Sequence, residues 1–404
     1  MSWTRLTLQV RTPLFGGDDP NQDSDAAVRV PSIRGALRFW FRTVAAGHGV
    51  SGLQELWEAE QAVFGSTDIP SPIRLRVVGQ PAVRGRGTKP RWATTEQHGF
   101  DGAQYLLGQG LWDYRNGLRR GCVDPGAPFS LDIRFGGDEH VKARFMLALW
   151  AWLTYGGLGA RTRRGFGQLV CTAVDGELPC GWTDADLRSP EDTDDWKALS
   201  ECAMPGSLPG RQALGWGALL PTPPPDDEPL PELPALTPRW WAGSVWSTRA
   251  KSLGEALHET GLRWRQFRAD DDRKKPTQNT RSPEWNNVIH GDDERYPIAA
   301  LGLPVGYFSQ AQGEFKATVT PQLGDEQLRR ASPVWLRPVL LPGGRWAVFT
   351  HVFYARLLPV GAELRVTGGV TRTLPEPPIR DVEEAWDRWL GGDPRLPHDY
   401  YPGS

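Results

Sequence analysis

Cysteine is scarce: four residues in 404, Cys122, Cys171, Cys180 and Cys202, with no C-x-x-C pair. That spacing speaks against a disulfide framework and against a zinc knuckle. No run of eighteen apolar residues occurs, which excludes a membrane-spanning helix. No apolar signal segment opens the sequence either, so a reduced, cytoplasmic protein is expected. Neither sign of charge dominates, since 46 Lys and Arg stand against 48 Asp and Glu. Any nucleic-acid surface therefore has to be local rather than global. Lysine is rare, so arginine supplies nearly all the positive charge, and its planar fork favours bidentate phosphate contacts. The histidines (48, 98, 140, 258, 290, 351 and 398) show no H-x-x-x-H or H-x-E spacing, and there is no nucleophile elbow. These absences leave no metal site, no cofactor and no catalytic residue to assign from spacing.

What the sequence does hold is one unusual loop. Tyr155 to Leu169 reads YGGLGARTRRGFGQL, with Gly156, Gly157, Gly159, Arg161, Thr162, Arg163, Arg164 and Phe166 in close succession. Upstream, Val141 to Tyr155 lacks Gly and Pro and repeats near 3.6, which predicts a buried helix; downstream, Leu169 to Ala173 predicts a strand. Gly156 or Gly157 is placed to be the left-handed residue ending that helix. A phosphate cradle of the nucleotide-binding kind needs the reverse order, strand, glycines, helix. This loop offers instead bare backbone N–H groups beside arginine forks, which suits successive phosphates of a nucleic-acid strand. Phe166 is placed either to stack on a base or to pack.

The amino-terminal segment points the same way. Thr4 to Val10 alternates as a half-buried strand, Thr12 to Gly17 breaks it, and a polar loop carries Asp18, Asp19, Asp23 and Asp25. A helix opens near Pro31 with Ser32 expected as its N-cap, its apolar face holding Ile33, Leu37, Trp40, Phe41 and Val44. Arg34, Arg38 and Arg42 recur every fourth residue, and no acid lies between Arg29 and Ala46 to neutralise them locally. The expectation is a phosphate-facing stripe, set against the plainer alternative of a solvated helix face.

These residues carry a family resemblance. The string Gly156 to Leu169 resembles the glycine-rich loop of the RAMP superfamily, the repeat-associated RNA-binding proteins of CRISPR systems. Thr12 to Gly17, followed by Arg29-Val30-Pro31-Ser32-Ile33-Arg34-Gly35-Ala36-Leu37-Arg38-Phe39-Trp40, is similar to the amino-terminal signature of the family of first-named subunits of the Cmr complex, the type III-B CRISPR effector. Tyr296 to Tyr307 and Arg329 to Pro338 resemble carboxy-terminal segments of that subunit. The resemblance implies an α+β protein of two ferredoxin-like domains, the second degenerate, with loop insertions. It implies a non-catalytic subunit that holds the 3′ region of CRISPR RNA, supports target single-stranded RNA binding in antiviral defence, and touches other RAMP subunits. Arg329 and Arg330 join the expected RNA-binding set on the same ground.

The domain organisation is read from composition. Residues 1–220 are expected to form the first domain, Leu53 to Phe64 being a second helix stopped by Gly65, and Arg74 to Val78 and Phe129 to Phe135 strands. Pro81 to Gly121 reads as an Arg- and Gly-rich insertion, touching RNA or simply lying on the surface. The proline-rich acidic stretch 221–238 reads as a stiff linker. Residues 239–404 are expected to form the second domain, with a helical run from Thr248 to Arg268, strands at Val334 to Leu341 and Trp346 to Phe353, and a closing helix from Val382 to Leu390. Two other readings remain: an endoribonuclease using Asp23 or Asp25 to hold Mg²⁺, and a structural cap that binds only protein partners. The resembled subunit is a capping one rather than the repeated subunit that cuts target RNA, so the resemblance implies no catalysis.

Overall fold

The computed structural model describes residues 2–17, 26–50, 52–94, 102–190, 195–197, 199, 215–216, 230–269, 291, 297–309, 315–368 and 370–376. The acidic loop 18–25, most of the proline-rich stretch and the expected closing helix at 382–390 lie outside the described residues. By compactness the chain divides into two units, Met1–Glu259 with Trp335–Phe353, and Thr260–Val334 with Tyr354–Ser404. The first half runs β1 (Thr4–Val10), α1 (Val30–Gly47), α2 (Leu53–Phe64), β2 (Arg74–Val78), β3 (Pro128–Arg134), α3 (Glu139–Tyr155) and β4 (Leu169–Asp175). The second runs β5 (Trp241–Ser247), α4 (Leu253–Ala269), β6 (Val305–Ser309), β7 (Phe315–Leu323), β8 (Val334–Leu340), β9 (Trp346–Phe353), β10 (Glu363–Thr367) and β11 (Arg372–Leu374). Among the described residues no helix is long and apolar enough to cross a membrane.

The first sheet has the order β2-β3-β1-β4, all antiparallel. With helices after β1 and β3, this is the ferredoxin-like arrangement. β1 lies in the middle because both of its edges are paired, and its alternation sends Leu6, Leu8 and Val10 into the core. On the opposite face Asp132 of β3 sits level with Arg5 of β1 and Arg76 of β2, and bonds both guanidinium groups, at 2.7 and 2.6 Å. A one-residue slip of either strand would separate these charges, so the triad fixes register.

α1 starts earlier than Ser32: its N-cap is Arg29, without a side-chain cap, and Pro31 occupies the first turn, where its missing N–H costs nothing. α3 does have a capping side chain, Asp138, accepting from the Val141 N–H at 2.8 Å. Every residue of α3 from Phe145 to Tyr155 is buried, as its all-round apolar composition requires.

The cover over this helix comes from the far end of the sequence. β8-β9-β5 form a three-stranded sheet in the same compact unit. Its Trp241, Phe349 and Phe353 enter one core with Trp40 and Tyr155, ring centroids lying 5.6 Å apart for Tyr155–Trp241 and 6.1 Å for Trp40–Phe353. β5, α4, β8 and β9, with the strands in the order 2-3-1, repeat the connectivity of the first sheet with β6 and β7 inserted after the helix; a fourth strand of this sheet is not found among the described residues. The second unit carries a separate antiparallel sheet, β6-β7-β10-β11, over a small core that includes Val319, Leu364 and Val366.

Candidate nucleic-acid interface

The glycine loop and the Thr12–Gly17 turn hold each other. Gly167 N–H donates to Pro13 O at 2.9 Å, Ala160 N–H to Phe15 O at 2.8 Å, and Gln168 N–H to the Thr12 hydroxyl at 3.0 Å. Within the loop, Leu158 N–H donates to Gly167 O at 2.8 Å and Arg164 N–H to Arg161 O at 2.8 Å. The expected bare N–H groups are thus in large part engaged by the chain itself. The glycines serve this closeness: a side chain at Gly159, with φ 89°, would strike Phe15 O, and one at Gly167, with φ 70°, would strike Leu158 O. Gly156 is not left-handed but extended, with φ −96° and ψ −160°, and a Cβ there would meet the Trp40 indole; at Gly157 it would come within 2.8 Å of Gly167 O. The left-handed positions are Gly159, Arg161, Gly165 and Gly167, beyond the helix end that the sequence suggested.

The arginines of this loop diverge. Arg161, at φ 63°, is exposed, and its guanidinium lies against Gly108. Arg163 is half-buried, with Cζ 4.8 Å from the Trp335 ring and 5.5 Å from that of Phe39. Arg164 and Thr162 are half-buried as well, the backbone of Arg164 bridging Leu336 of β8. Phe166 is fully buried between Phe15 and Trp92, with centroids 5.7 and 6.0 Å away, so it packs and does not stack on a base.

The α1 stripe is partly neutralised. Glu60 of α2, only 8% exposed, forms a two-pronged ion pair with Arg42 and lies 3.5 Å from Arg38, which also donates to Gly65 O at 2.7 Å. The acid missing from α1 is supplied by its neighbour. Its signal in the sequence was a glutamate four residues after Leu56 on the apolar face of α2. Arg34 has no ion-pair partner among the described residues; burial, and then the Arg38 charge, lowers its pKa. Arg329 and Arg330 belong to the second unit, Arg329 exposed and Arg330 held by paired backbone bonds to Leu303 at 2.7 and 3.1 Å.

Sequence reasoning missed the residue that closes this site. Arg337 of β8 is 3% exposed and donates to Gly156 O at 2.7 Å and Leu153 O at 2.9 Å, carbonyls at the C-terminus of α3 that have no partner in the helix. A cation at this end also opposes the helix dipole. Burial, followed by the charge of Arg11, pushes Arg337 down to about 9, still protonated at neutral pH. Beside it, His351 is fully buried among Trp40, Tyr155, Trp241, Trp335, Phe349 and Phe353. Trp241 Nε1–H donates to its Nδ1 at 3.1 Å, which makes His351 an acceptor there and hence neutral. A lone arginine in the otherwise apolar run from Val334 to Leu341 was the available clue.

The ferredoxin-like sheet, the glycine loop closing on the β1 turn, and the Trp40 contact with Gly156 are now on one scaffold. Residues 7–170 match the RAMP superfamily. In sequence and in fold this region is similar to RAMP domains. Two relatives from Pyrococcus furiosus are similar to it. CRISPR system Cmr subunit Cmr1-1 is 30% identical over 156 residues, which cover 37% of this chain and 42% of that protein. CRISPR system Cmr subunit Cmr1-2 is 26% identical over 175 residues, 40% of this chain and 91% of that protein. The match thus spans less than half the length of Cmr1-1. The crystal structure of P. furiosus Cmr1 in its apo form shares the fold across 88% of both chains, with a TM-score of 0.55 and 19% identity. In this region the signature residues of the sequence are mostly architectural: Trp40, Gly156 and Gly159 are where helix, loop and turn touch.

Proposed function

We propose that the chain is a non-catalytic subunit of a type III-B CRISPR effector, holding the backbone of the 3′ region of CRISPR RNA and supporting the pairing of that guide with target RNA. The observation that carries this reading is a glycine loop tied by backbone bonds to itself and to the Thr12–Gly17 turn, which fixes the exposed Arg161 and the half-buried Arg163 and Arg164 at one rigid turn. Rigid donors suit phosphates, whose position repeats from nucleotide to nucleotide whatever the base. Sequence would then be read by guide-to-target pairing rather than by the protein. Arg34, without an ion pair among the described residues, extends the set; Arg38 and Arg42, tied to Glu60, contribute to it less. The names of the two P. furiosus relatives support membership of such a complex, and other RAMP subunits are its expected partners.

Purified protein titrated with a labelled single strand of arbitrary sequence at several salt concentrations, with and without Mg²⁺, tests this. Salt-sensitive binding of RNA that stays intact is expected. The variant Arg161→Asn/Arg163→Ala/Arg164→Ala, with Asn chosen because it tolerates the left-handed backbone, is expected to weaken binding for all sequences alike. It should also reduce the slope of log K against log salt by about 2, at roughly 0.7 per lost phosphate contact. An unchanged slope in the folded variant removes the loop from the proposal, and Mg²⁺-dependent fragments would assign cleavage instead.

A further inference from the structure

A second cationic feature lies at the β1 exit, and it is concave. A cavity of about 440 Å³ is lined by Arg11, Gln168, Val170, Arg188, Arg337 and Pro338 with their neighbours, all within the first compact unit. No Asp or Glu lines it among the described residues. Arg337 has no carboxylate partner there, and its Nε is buried without a hydrogen bond. Arg11 also lacks an ion pair among the described residues, and burial lowers its pKa. Gln168 is 2% exposed, and its side-chain Nε2 is likewise buried without a partner. Arg188 is bonded to Asp184 at 2.7 Å and so closes the rim with its charge already met. Among the described residues the cavity therefore gathers two cations without a carboxylate partner and an unused amide donor, and no fixed anion.

Desolvated charges of one sign are costly unless something of the other sign joins them. Register explains why they stay together: the Arg11 N–H donates to Gln168 O at 2.8 Å, which sets the two side chains at the joined ends of β1 and β4. Arg337 is held by the α3 carbonyls and cannot withdraw. The volume is much larger than one phosphate requires, and Val170, Pro338 and Leu341 supply an apolar wall.

We infer that this cavity is a binding site for a phosphate ester of nucleotide size, the phosphate meeting Arg11, Arg337 Nε and Gln168, and the remainder lying on the Val170–Pro338 wall. Its donors do not include the loop arginines Arg161, Arg163 and Arg164, so it does not depend on the RNA proposal. A nucleotide unit of an RNA strand and a free mononucleotide offer the same chemistry.

Isothermal titration of the full chain with uridine monophosphate and with uridine tests the site. Binding of the monophosphate but not the nucleoside is expected, weakened about tenfold or more by Arg11→Gln and partly restored by Arg11→Lys. Gln168→Glu, which sets a carboxylate against the phosphate, gives a second route to the same loss should Arg11→Gln misfold. Displacement of the monophosphate by unlabelled single-stranded RNA assigns the site to an RNA nucleotide; binding without displacement assigns it to the free nucleotide. Equal binding of uridine and its monophosphate, or unaltered binding by folded Arg11→Gln, overturns the inference. The glycine-loop variant is expected to keep monophosphate binding, which separates a failure here from a failure of the RNA proposal.

Discussion

His351 is neutral because every neighbour makes charge expensive there. It is enclosed by six aromatic rings, and burial first, then Arg337 and Arg163, pushes its pKa well below the ordinary value. In the unfolded chain it returns to about 6.5. The unfolded state therefore binds more protons between the folded value and pH 6.5, so this contribution to stability is present above that pH and is lost as pH falls through the window. Thermal unfolding measured from pH 7 to pH 5 should show a decline of up to about 1.4 kcal/mol per pH unit from this group. His351→Asn, which keeps an acceptor for Trp241, is expected to lessen that decline. An equal decline in the variant would place the titration elsewhere. Two glycines of the signature segments make a contrasting pair. Gly159→Ala combines a left-handed backbone with a clash against Phe15 O and should cost 2 kcal/mol or more, on the order expected for strain plus displaced packing. Gly35 sits inside α1 with nothing within 4 Å of an added Cβ, so Gly35→Ala should raise stability by about 0.5–1 kcal/mol. If the RNA backbone approaches α1 at that bare position, the same substitution lowers RNA affinity while Tm rises.

Among the elements, the pairing of α1 with α2 turns on Glu60. Removing it leaves Arg42 without its two-pronged partner and Arg38 without its nearest carboxylate. Glu60→Ala is expected to destabilise by about 1–3 kcal/mol in denaturant unfolding, less than for a wholly buried pair because Arg42 is half exposed. Arg42→Ala should show the same kind of loss with little change in RNA affinity; a large affinity loss at unchanged stability would restore Arg42 to the phosphate track. This helix pair also shows what was legible. The spacing of Leu37, Trp40, Phe41 and Val44 identified α1 and its buried face, because helical period is a local property. Glu60 was invisible as a partner because the contact joins residues 18 apart on different helices. β9 was legible as a largely apolar run, whereas β5 was missed: after the buried Trp241, residues 242–246 are all half-buried with no alternation, so neither period marks it. The glycine loop was legible as a loop, but which N–H groups it keeps for itself depends on the Thr12–Gly17 turn, more than a hundred residues upstream. The Arg337 cap is of the same kind, set by a strand that returns from far along the chain.

For the whole molecule, the discontinuity of the first unit matters most. Met1–Glu259 is completed by Trp335–Phe353, which bring Trp335, Arg337, Phe349, His351 and Phe353 to α1 and α3. A fragment ending at Glu259 would expose Trp40, Tyr155 and Trp241 and leave the α3 carbonyls at Leu153 and Gly156 without the Arg337 donors. Each uncovered aromatic is worth about 2–3 kcal/mol, so the fragment is expected to show no cooperative unfolding transition by circular dichroism. A sharp transition near that of the full chain would mean that the amino-terminal fragment is stable alone. In the cell the same feature sets an order of events during translation. The amino-terminal sheet can be synthesised and its hairpin edges paired, but the unit closes only after residue 353 has emerged, 353 − 259 = 94 residues later. At synthesis rates of about 5–20 residues per second this is a delay of roughly 5–20 s. Throughout it a tryptophan-rich face waits uncovered at the ribosome, which makes the nascent chain a natural client for chaperones that shield apolar surface.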